Sequence, residues 1–248
     1  MDSGLHEKQR IEIDYWRKSE NEMPQSESLN NVFNKVSDAA IFFDCLERYR
    51  DYLSSDGRVL ELGAGQGWAA CLYKRIFPSA HVTITDISQW AVDSLRKWEH
   101  VWNVKIDDSY ACKSYETRES DRSVDVVFCF ASAHHFLAHN RTLAEIARIL
   151  KPGGRAIYFY EPCCPGFLHP LAKWRVNHKR HDVPEDVLVT KKILDLARKN
   201  GLAAKVEYYP SLKKRGTAEL FYYLIFGYLP FLQRFLPCTA NLIFQKTK

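Results

Sequence analysis

The sequence contains no long uninterrupted apolar run, neither at its start nor elsewhere. Residues 1–10 are polar, so we expect no signal peptide and a cytoplasmic protein. The most apolar stretch, Leu220–Pro237, is dense in aromatic residues, but glycine, proline, glutamine and arginine interrupt it. It is too short and too broken to span a bilayer as one helix. Peripheral contact with the inner face of a membrane is the alternative that stays open.

Cysteine pairs and strong net charge are also lacking. The seven cysteines are odd in number, and none forms a Cys-x-x-Cys pair or a metal-ligand spacing. They indicate reduced thiols, several of them in the core. A net charge of +5 is too small to indicate nucleic-acid binding by itself. The 248 residues, 46% of them hydrophobic, suit one large domain with a substantial core, and we predict no nucleic-acid partner.

The most informative segment that is present is Val59–Ala70, a short apolar run that ends in three glycines. Glycine tolerates positive φ and lets backbone N–H groups approach a ligand closely. The helix-compatible sequence that follows offers its N-terminus to negative charge. The segment therefore predicts a strand, a tight loop and a helix start that cradle a cofactor. The spacing Gly-x-Gly-x-Gly places Trp68 where a dinucleotide fingerprint has its third glycine, which argues against an NAD-dependent oxidoreductase.

Three further motifs follow the glycine loop in order. Val82–Asp86 is a β-branched run that ends on a carboxylate, where a ribose diol would be held by two charge-assisted hydrogen bonds. Ser123–Phe136 contains an apolar strand that ends in small residues. Thr142–Gly154 predicts a helix with a Thr-x-x-Glu capping box and a Lys-Pro-Gly-Gly turn, which leads into a strand at Arg155–Glu161.

These four motifs, over about residues 57–162, resemble class I S-adenosylmethionine-dependent methyltransferases of the type 11-like kind. The resemblance implies S-adenosylmethionine as the cofactor. It also implies an α/β fold, a doubly wound Rossmann-like sheet of seven mostly parallel strands with helices on both faces. Within a single domain, residues 1–56 would form N-terminal helices and a lid, and residues 163–248 the substrate-side half. A helical, aromatic insert at 213–237 would precede the last strand.

The same resemblance implies where the cofactor is held, along the carboxyl ends of the first four strands. The implied residues are Glu61, Gly63, Ala64, Gly65, Gln66, Gly67, Asp86, Ile87, Asp108, Ser109 and Ala131. Asp108 and Ser109 would bind the adenine amino group, because a third strand is predicted at 104–106. The remaining pattern predicts helices at 5–20, from Ser37 or Asp38, at 88–102 and at 184–200, and strands at 205–209 and 240–245.

Candidate catalytic residues follow from the family's positional logic, which puts bases at the ends of the fourth and fifth strands. Here these are His134, His135 and Glu161. A histidine of near-neutral pKa suits proton removal from a hydroxyl, although a structural role for one of the pair is the simpler interpretation. The chain lacks the aspartates that hold magnesium in catechol-type methyltransferases and the Asn/Asp-Pro-Pro-Tyr/Phe motif of enzymes that methylate DNA bases. We predict no metal site.

The acceptor is the least determined part of the prediction. The pattern around Asp14–Trp16, with Ser19-Glu20 and Asn30-Asn31, resembles bacterial methyltransferases that accompany surface-polysaccharide biosynthesis. It favours O-methylation of a sugar or of a lipid-linked glycan. A small aromatic or quinone-like acceptor is the alternative within enzymes. A cofactor-binding scaffold without catalysis is the alternative from another class, and the oligomeric state is not predicted.

Two basic clusters accompany the predicted substrate side. One lies in a predicted loop at 162–182, and its members are Lys173, Arg175, His178, Lys179, Arg180 and His181. The other, Lys213–Arg215, precedes the aromatic stretch. Solvated surface is the simpler interpretation, and an anion site for phosphate or a lipid headgroup is the sharper one. Residues 213–237 would accordingly form a cap, a dimer interface or a membrane-contacting edge.

Overall fold

The computed structural model describes residues 2–179 and 185–247, and the side chains from residue 7 onward within these ranges, Lys179 excepted. The helices are α1 (Asp2–Lys18), α2 (Leu29–Arg48), α3 (Trp68–Ile76), α4 (Gln89–Asp93), α5 (Leu95–Trp102), α6 (His139–Ile149), α7 (His169–Lys179), α8 (Thr190–Lys199) and α9 (Thr217–Tyr228). The strands are β1 (Arg58–Leu62), β2 (His81–Asp86), β3 (Asp108–Ala111), β4 (Val124–Phe130), β5 (Leu150–Cys164), β6 (Leu188–Val189), β7 (Leu202–Tyr208) and β8 (Cys238–Lys246).

The strands form one sheet in the order β3-β2-β1-β4-β5-β8-β7, and the short β6 pairs with the end of β5. Strands β1 to β5 run parallel, whereas β8 is antiparallel to both of its neighbours. The chain order reverses between β1 and β4, and ligands of doubly wound sheets bind at this point, outside the carboxyl ends of the strands. The predicted fold class is confirmed.

Two apolar layers cover the sheet, one on each face. Alternate residues of a strand point to opposite faces. In β5, Phe159 therefore packs with Phe42 of α2 in one layer, whereas Tyr158 packs with Ile146 of α6 in the other. None of the helices in the described part of the chain is long and apolar enough to cross a membrane.

The N-terminal boundary of α2 differs from the prediction. Ser28, not Ser37 or Asp38, caps the helix, because its hydroxyl accepts a hydrogen bond from the Asn31 backbone N–H. Ser37 lies inside the helix, where its hydroxyl donates to the Phe33 carbonyl. The helix therefore begins at Leu29, although its buried apolar residues begin only at Ala39.

The third strand was predicted at 104–106 but lies at Asp108–Ala111. Two predicted cofactor residues, Asp108 and Ser109, therefore begin the strand instead of following it. The Asp107 carboxylate accepts bonds from the Val82 backbone and from Lys74, each at 2.8 Å, and fixes the chain just before β3. Asp108 and Ser109 are the first two residues of β3 and are exposed. They lie toward the amino end of the parallel sheet, away from the edge where a cofactor would bind.

Four further predictions also differ from the structure. The predicted loop at 162–182 contains the end of β5 and helix α7, and the predicted helix at 184–200 is replaced by β6 and the shorter α8. The helix predicted at 88–102 is divided at Ser94 into α4 and α5. Thr142 is not a helix cap, because α6 begins at His139; its buried hydroxyl lies 2.8 Å from that of Ser114.

Candidate active site

The glycine loop lies between β1 and α3 at the carboxyl edge of the sheet. Gly63, Gly65 and Gly67 have φ values of +63°, +53° and +78°, which side chains other than glycine rarely adopt. A Cβ on Gly65 would lie 3.0 Å from the Trp16 ring, and one on Gly67 would lie 2.7 Å from Leu95. The loop thus requires glycine both for its conformation and for its close contacts.

Asp86 ends β2 beside this loop and is 6% exposed. Its two carboxylate oxygens accept hydrogen bonds from the backbone N–H groups of Gly65 and Ser88, each at 2.9 Å. Burial raises the pKa of Asp86 to about 6, and the two hydrogen bonds oppose that shift. Each oxygen keeps a further lone pair, so the carboxylate can also accept from two vicinal hydroxyl groups of a ribose.

Two other predicted cofactor residues are engaged by the protein itself. Glu61, 2% exposed, accepts a bond from the Ala70 backbone in the first turn of α3, and burial raises its pKa well above the ordinary value. The Gln66 side chain donates to the Glu22 carbonyl and accepts from Trp98. Both side chains therefore stabilise the loop through hydrogen bonds to other parts of the protein. Ala64 donates its backbone N–H to the Thr85 carbonyl and is buried.

Helix α1 lies over the glycine loop through contacts that the sequence did not indicate. Besides the approach of Trp16 to Gly65, Gln9 donates to the Tyr115 hydroxyl at 3.1 Å. Glu12 lies 3.5 Å from His135. These partners are far apart in the chain, so neither periodicity nor motif spacing contains a signal for them.

The end of β4 continues into a short 3-10 turn, Ala133–His135, that is anchored on Glu161. Glu161 is fully buried; one oxygen accepts from the backbones of Ser132 and Ala133, and the other from the backbone and Nδ1 of His134. Burial alone would raise the pKa of Glu161, but His134 and these donors outweigh it and hold the pKa below its ordinary value. The carboxylate is thus surrounded by protein donors.

His135 lies beside His134, with the two ring centroids 4.2 Å apart. Burial would lower the pKa of His135, but its hydrogen bond to Glu12 and the charge of that carboxylate outweigh burial and raise the pKa. The three predicted residues, His134, His135 and Glu161, thus lie together in the structure. The sequence did not indicate Glu12, which engages the second histidine from the N-terminal helix.

Backbone strain marks the same edge. Ala131, which follows β4, and Tyr160 in β5 have φ values of +46° and +56°. Positive φ at residues other than glycine clusters at functional sites. The predicted residue Ile87 follows Asp86 and is half-buried. Cys112, which the sequence did not indicate, takes the place predicted for Asp108 and Ser109, since it follows β3 and donates its N–H to the Asp86 carbonyl at 2.8 Å.

The two basic clusters are largely paired with acidic residues. Lys213 contacts Asp44, and Lys214 lies 2.7 Å from Asp38. Arg215 has a side chain only 12% exposed and packs over the Tyr223 ring. Lys213 and Lys214 join the segment before α9 to α2, and all three cations are engaged by the protein instead of forming an open anion site.

In the other cluster, Lys173 pairs with Asp186 and Arg175 lies 3.7 Å from Glu219 of α9. His178 stacks on Trp174. The predicted members Arg180 and His181 lie outside the described residues, and so does the side chain of Lys179. The Arg175 pair holds α7 against α9.

A doubly wound sheet with a glycine cradle after β1 and a buried aspartate at the end of β2 is the arrangement of a nucleotide-cofactor domain. Residues 60–158 match the family described as "Methyltransferase domain". Over this segment, which is less than half of its length, the chain is similar to class I S-adenosylmethionine-dependent methyltransferases.

Curated relatives match the same region. The chain is 29% identical over 101 residues to a fatty-acid O-methyltransferase of Mycolicibacterium smegmatis. This match covers 41% of the chain and 36% of that protein. The chain is 29% identical over 106 residues to the 27-O-demethylrifamycin SV methyltransferase of Amycolatopsis mediterranei, covering 42% and 38%. A ubiquinone/menaquinone biosynthesis C-methyltransferase of Desulfotalea psychrophila is 26% identical over 129 residues, covering 52% and 50%. The matches span between a third and a half of these relatives.

Solved structures resemble the chain over most of its length. Geranyl diphosphate C-methyltransferase from Streptomyces coelicolor A3(2), in complex with Mg²⁺, geranyl diphosphate and S-adenosyl-L-homocysteine, superposes with a TM-score of 0.68, 15% identity and coverage of 97% of this chain and 98% of that one. Phosphoethanolamine N-methyltransferase 2 of Haemonchus contortus, in complex with S-adenosyl-L-methionine, superposes with a TM-score of 0.63 at 16% identity. That superposition covers 95% of this chain and 60% of the other. At these identities the likeness concerns the fold.

Proposed function

We propose that this chain binds S-adenosylmethionine across the carboxyl ends of β1 and β2 and transfers its methyl group to an oxygen of a small-molecule acceptor. The observation that carries the proposal is the glycine cradle beside Asp86, whose buried carboxylate retains the lone pairs that a ribose diol needs. When bound, the sulfonium supplies an electrophilic methyl group. The protein then has to hold the acceptor in line with the carbon–sulfur bond.

The acceptor side is the edge after β4, where His134 and His135 stand together. As the oxygen–carbon bond forms, the carbon–sulfur bond breaks and its electron pair returns to sulfur. A hydroxyl acceptor loses its proton in this step, and a neighbouring imidazole suits that transfer. Glu161 acts as a positioning residue in this proposal, because its carboxylate contacts His134 and backbone N–H groups and has no exposed surface.

A sugar or a lipid-linked glycan remains our first hypothesis for the acceptor, and oxygen as the methylated atom is supported by the fatty-acid and rifamycin O-methyltransferase relatives. Exposed apolar side chains on α7 and α9 support an acceptor with a lipid portion and peripheral membrane contact. They include Trp174 at 62%, Phe221 at 64% and Tyr228 at 84% exposure. A quinone-like acceptor is the second candidate, which the quinone-pathway relative favours.

The test of cofactor use is calorimetry with S-adenosylhomocysteine, followed by a methyl-transfer screen with nucleotide sugars, lipid-linked glycans and quinones. Methylated glycan supports the first hypothesis, and methylated quinone the second. Cofactor binding without product from any acceptor class would favour a non-catalytic scaffold.

Membrane contact is tested by co-sedimentation with anionic vesicles at low salt. The variant Tyr228→Ser combined with Phe221→Ser should lose binding, because it removes exposed aromatic surface from α9. The control Val101→Ser removes a comparably exposed apolar side chain from α5 and should bind as the original chain does. No sedimentation of the original chain would leave residues 213–237 as a cap or an interface.

A further inference from the structure

The acceptor edge brings together three side chains that bear metal-ligating atoms. His134 and His135 belong to the turn after β4, and Glu185 lies where the chain leads into β6. One ligand atom from each lies within 4.8 Å of the other two, and all three residues are partly buried. Their spacing in the sequence is too wide to match a metal motif.

Each imidazole has a carboxylate near its Nδ1. Nδ1 of His134 lies 2.9 Å from the Glu161 carboxylate, and Nδ1 of His135 lies 3.5 Å from the Glu12 carboxylate. An Nδ1–H directed at a carboxylate fixes the tautomer of a neutral ring, so that Nε2 keeps its lone pair. Metal-bound histidines in proteins characteristically have such a carboxylate behind them.

Glu185 is held in place by the neighbouring helix α7. The Asn177 side chain forms two hydrogen bonds with the Glu185 backbone, donating to its carbonyl at 2.8 Å and accepting from its N–H at 3.0 Å. The next residue, Asp186, lies 2.8 Å from His169 and 3.2 Å from Lys173. The backbone that presents the Glu185 carboxylate is therefore fixed.

We propose that His134, His135 and Glu185 form a binding site for one divalent first-row transition-metal ion. Tetrahedral ligands of such an ion lie about 3–3.5 Å apart, so the three ligand atoms would draw together when the ion binds. Two imidazoles and one carboxylate leave coordination positions open for an oxygen ligand. The nitrogen donors disfavour Mg²⁺, which prefers oxygen.

The consequence for chemistry rests on the proposed function, whereas ion binding does not. A hydroxyl of the acceptor bound to the ion would have a lowered pKa, so its proton would leave to solvent before the methyl group arrives. The two imidazoles would then act as ligands and not as general bases. Activity would depend on the ion.

The binding test uses the full chain, freed of metal by a chelator, titrated with Co²⁺ and followed by visible absorption. We expect one equivalent of Co²⁺, displaced by Zn²⁺ and not by Mg²⁺. Glu185→Gln and His135→Ala should each weaken Co²⁺ binding at least about tenfold. The control His178→Ala, a histidine stacked on Trp174 of α7, should bind as the original chain does.

Thermal unfolding of each variant checks that it folds, and Glu185→Gln is the variant that leaves both imidazoles and their carboxylates intact. Undiminished Co²⁺ binding in both variants, or a thiolate charge-transfer band from cysteine ligation, would overturn the site. Calorimetry with S-adenosylhomocysteine on the metal-free chain is the separate readout. Cofactor binding without Co²⁺ binding refutes the metal site alone, and Co²⁺ binding without cofactor binding refutes the proposed function alone.

Discussion

Replacement of Glu161 by glutamine is expected to cost far more stability than the same replacement at Glu61, although both carboxyl groups are buried in neighbouring regions of the sheet. In Glu161→Gln, the amide oxygen can still accept from Ser132 and Ala133. The amide nitrogen then faces the backbone N–H of His134, which loses its acceptor, and Nδ1 of His134, which is satisfied only if the imidazole changes tautomer. Each buried donor left unpaired costs about 1–3 kcal/mol. The loss is therefore about 1–3 kcal/mol if the tautomer changes and about 2–6 kcal/mol if it does not.

The control Glu61→Gln preserves the hydrogen bond that the side chain accepts from the Ala70 backbone N–H, and burial, which raises the pKa of Glu61 well above its ordinary value, favours the uncharged carboxyl group. Glutamine closely resembles a protonated glutamate, so we expect a loss below about 1 kcal/mol. Chemical denaturation at pH 7 measures both values. Because the pKa of Glu161 is below its ordinary value of 4.5, its contribution should be complete above that value and decline as the pH falls further. Equal stability of the two variants would refute the anchoring role.

Three other substitutions test the site. Asp86→Ala should weaken S-adenosylhomocysteine binding by about 1–3 kcal/mol, and the control Asp93→Ala should leave it unchanged. In the original chain, the affinity should fall as the pH drops through about 6, the pKa of Asp86. Gly65→Ala and Gly153→Ala should both lose about 1–2 kcal/mol of stability at positive φ, but only Gly65→Ala, which meets Trp16, should lose cofactor affinity in calorimetry. His135→Ala should lower kcat at unchanged cofactor affinity; equal turnover from pH 6 to 9 would contradict a role in transfer.

Local patterns predicted the cofactor half of the structure well. The strand, loop and helix around Gly65 and the strand that ends at Asp86 depend on backbone conformation and short-range hydrogen bonds, which leave clear signals in sequence. The third strand was misplaced because Ile106 continues an apolar pattern, while the side-chain bonds of Asp107 delay the strand until residue 108.

The acceptor side could not be predicted in the same way. Glu12 beside His135, and Glu185 beside both histidines, are contacts between distant parts of the chain that no periodicity reports. Helix α7 lies in a segment rich in proline and basic residues, and its sequence has little amphipathic pattern to indicate a helix. The family resemblance supplied positions for the histidines but not their partners.

We expect the glycine loop and Asp86 to hold S-adenosylmethionine. Isothermal calorimetry of the purified chain with S-adenosylmethionine, S-adenosylhomocysteine and NAD in parallel measures this binding. We predict micromolar binding of the first two and no binding of NAD. Binding of NAD alone would contradict it, beginning with the assignment of the glycine loop.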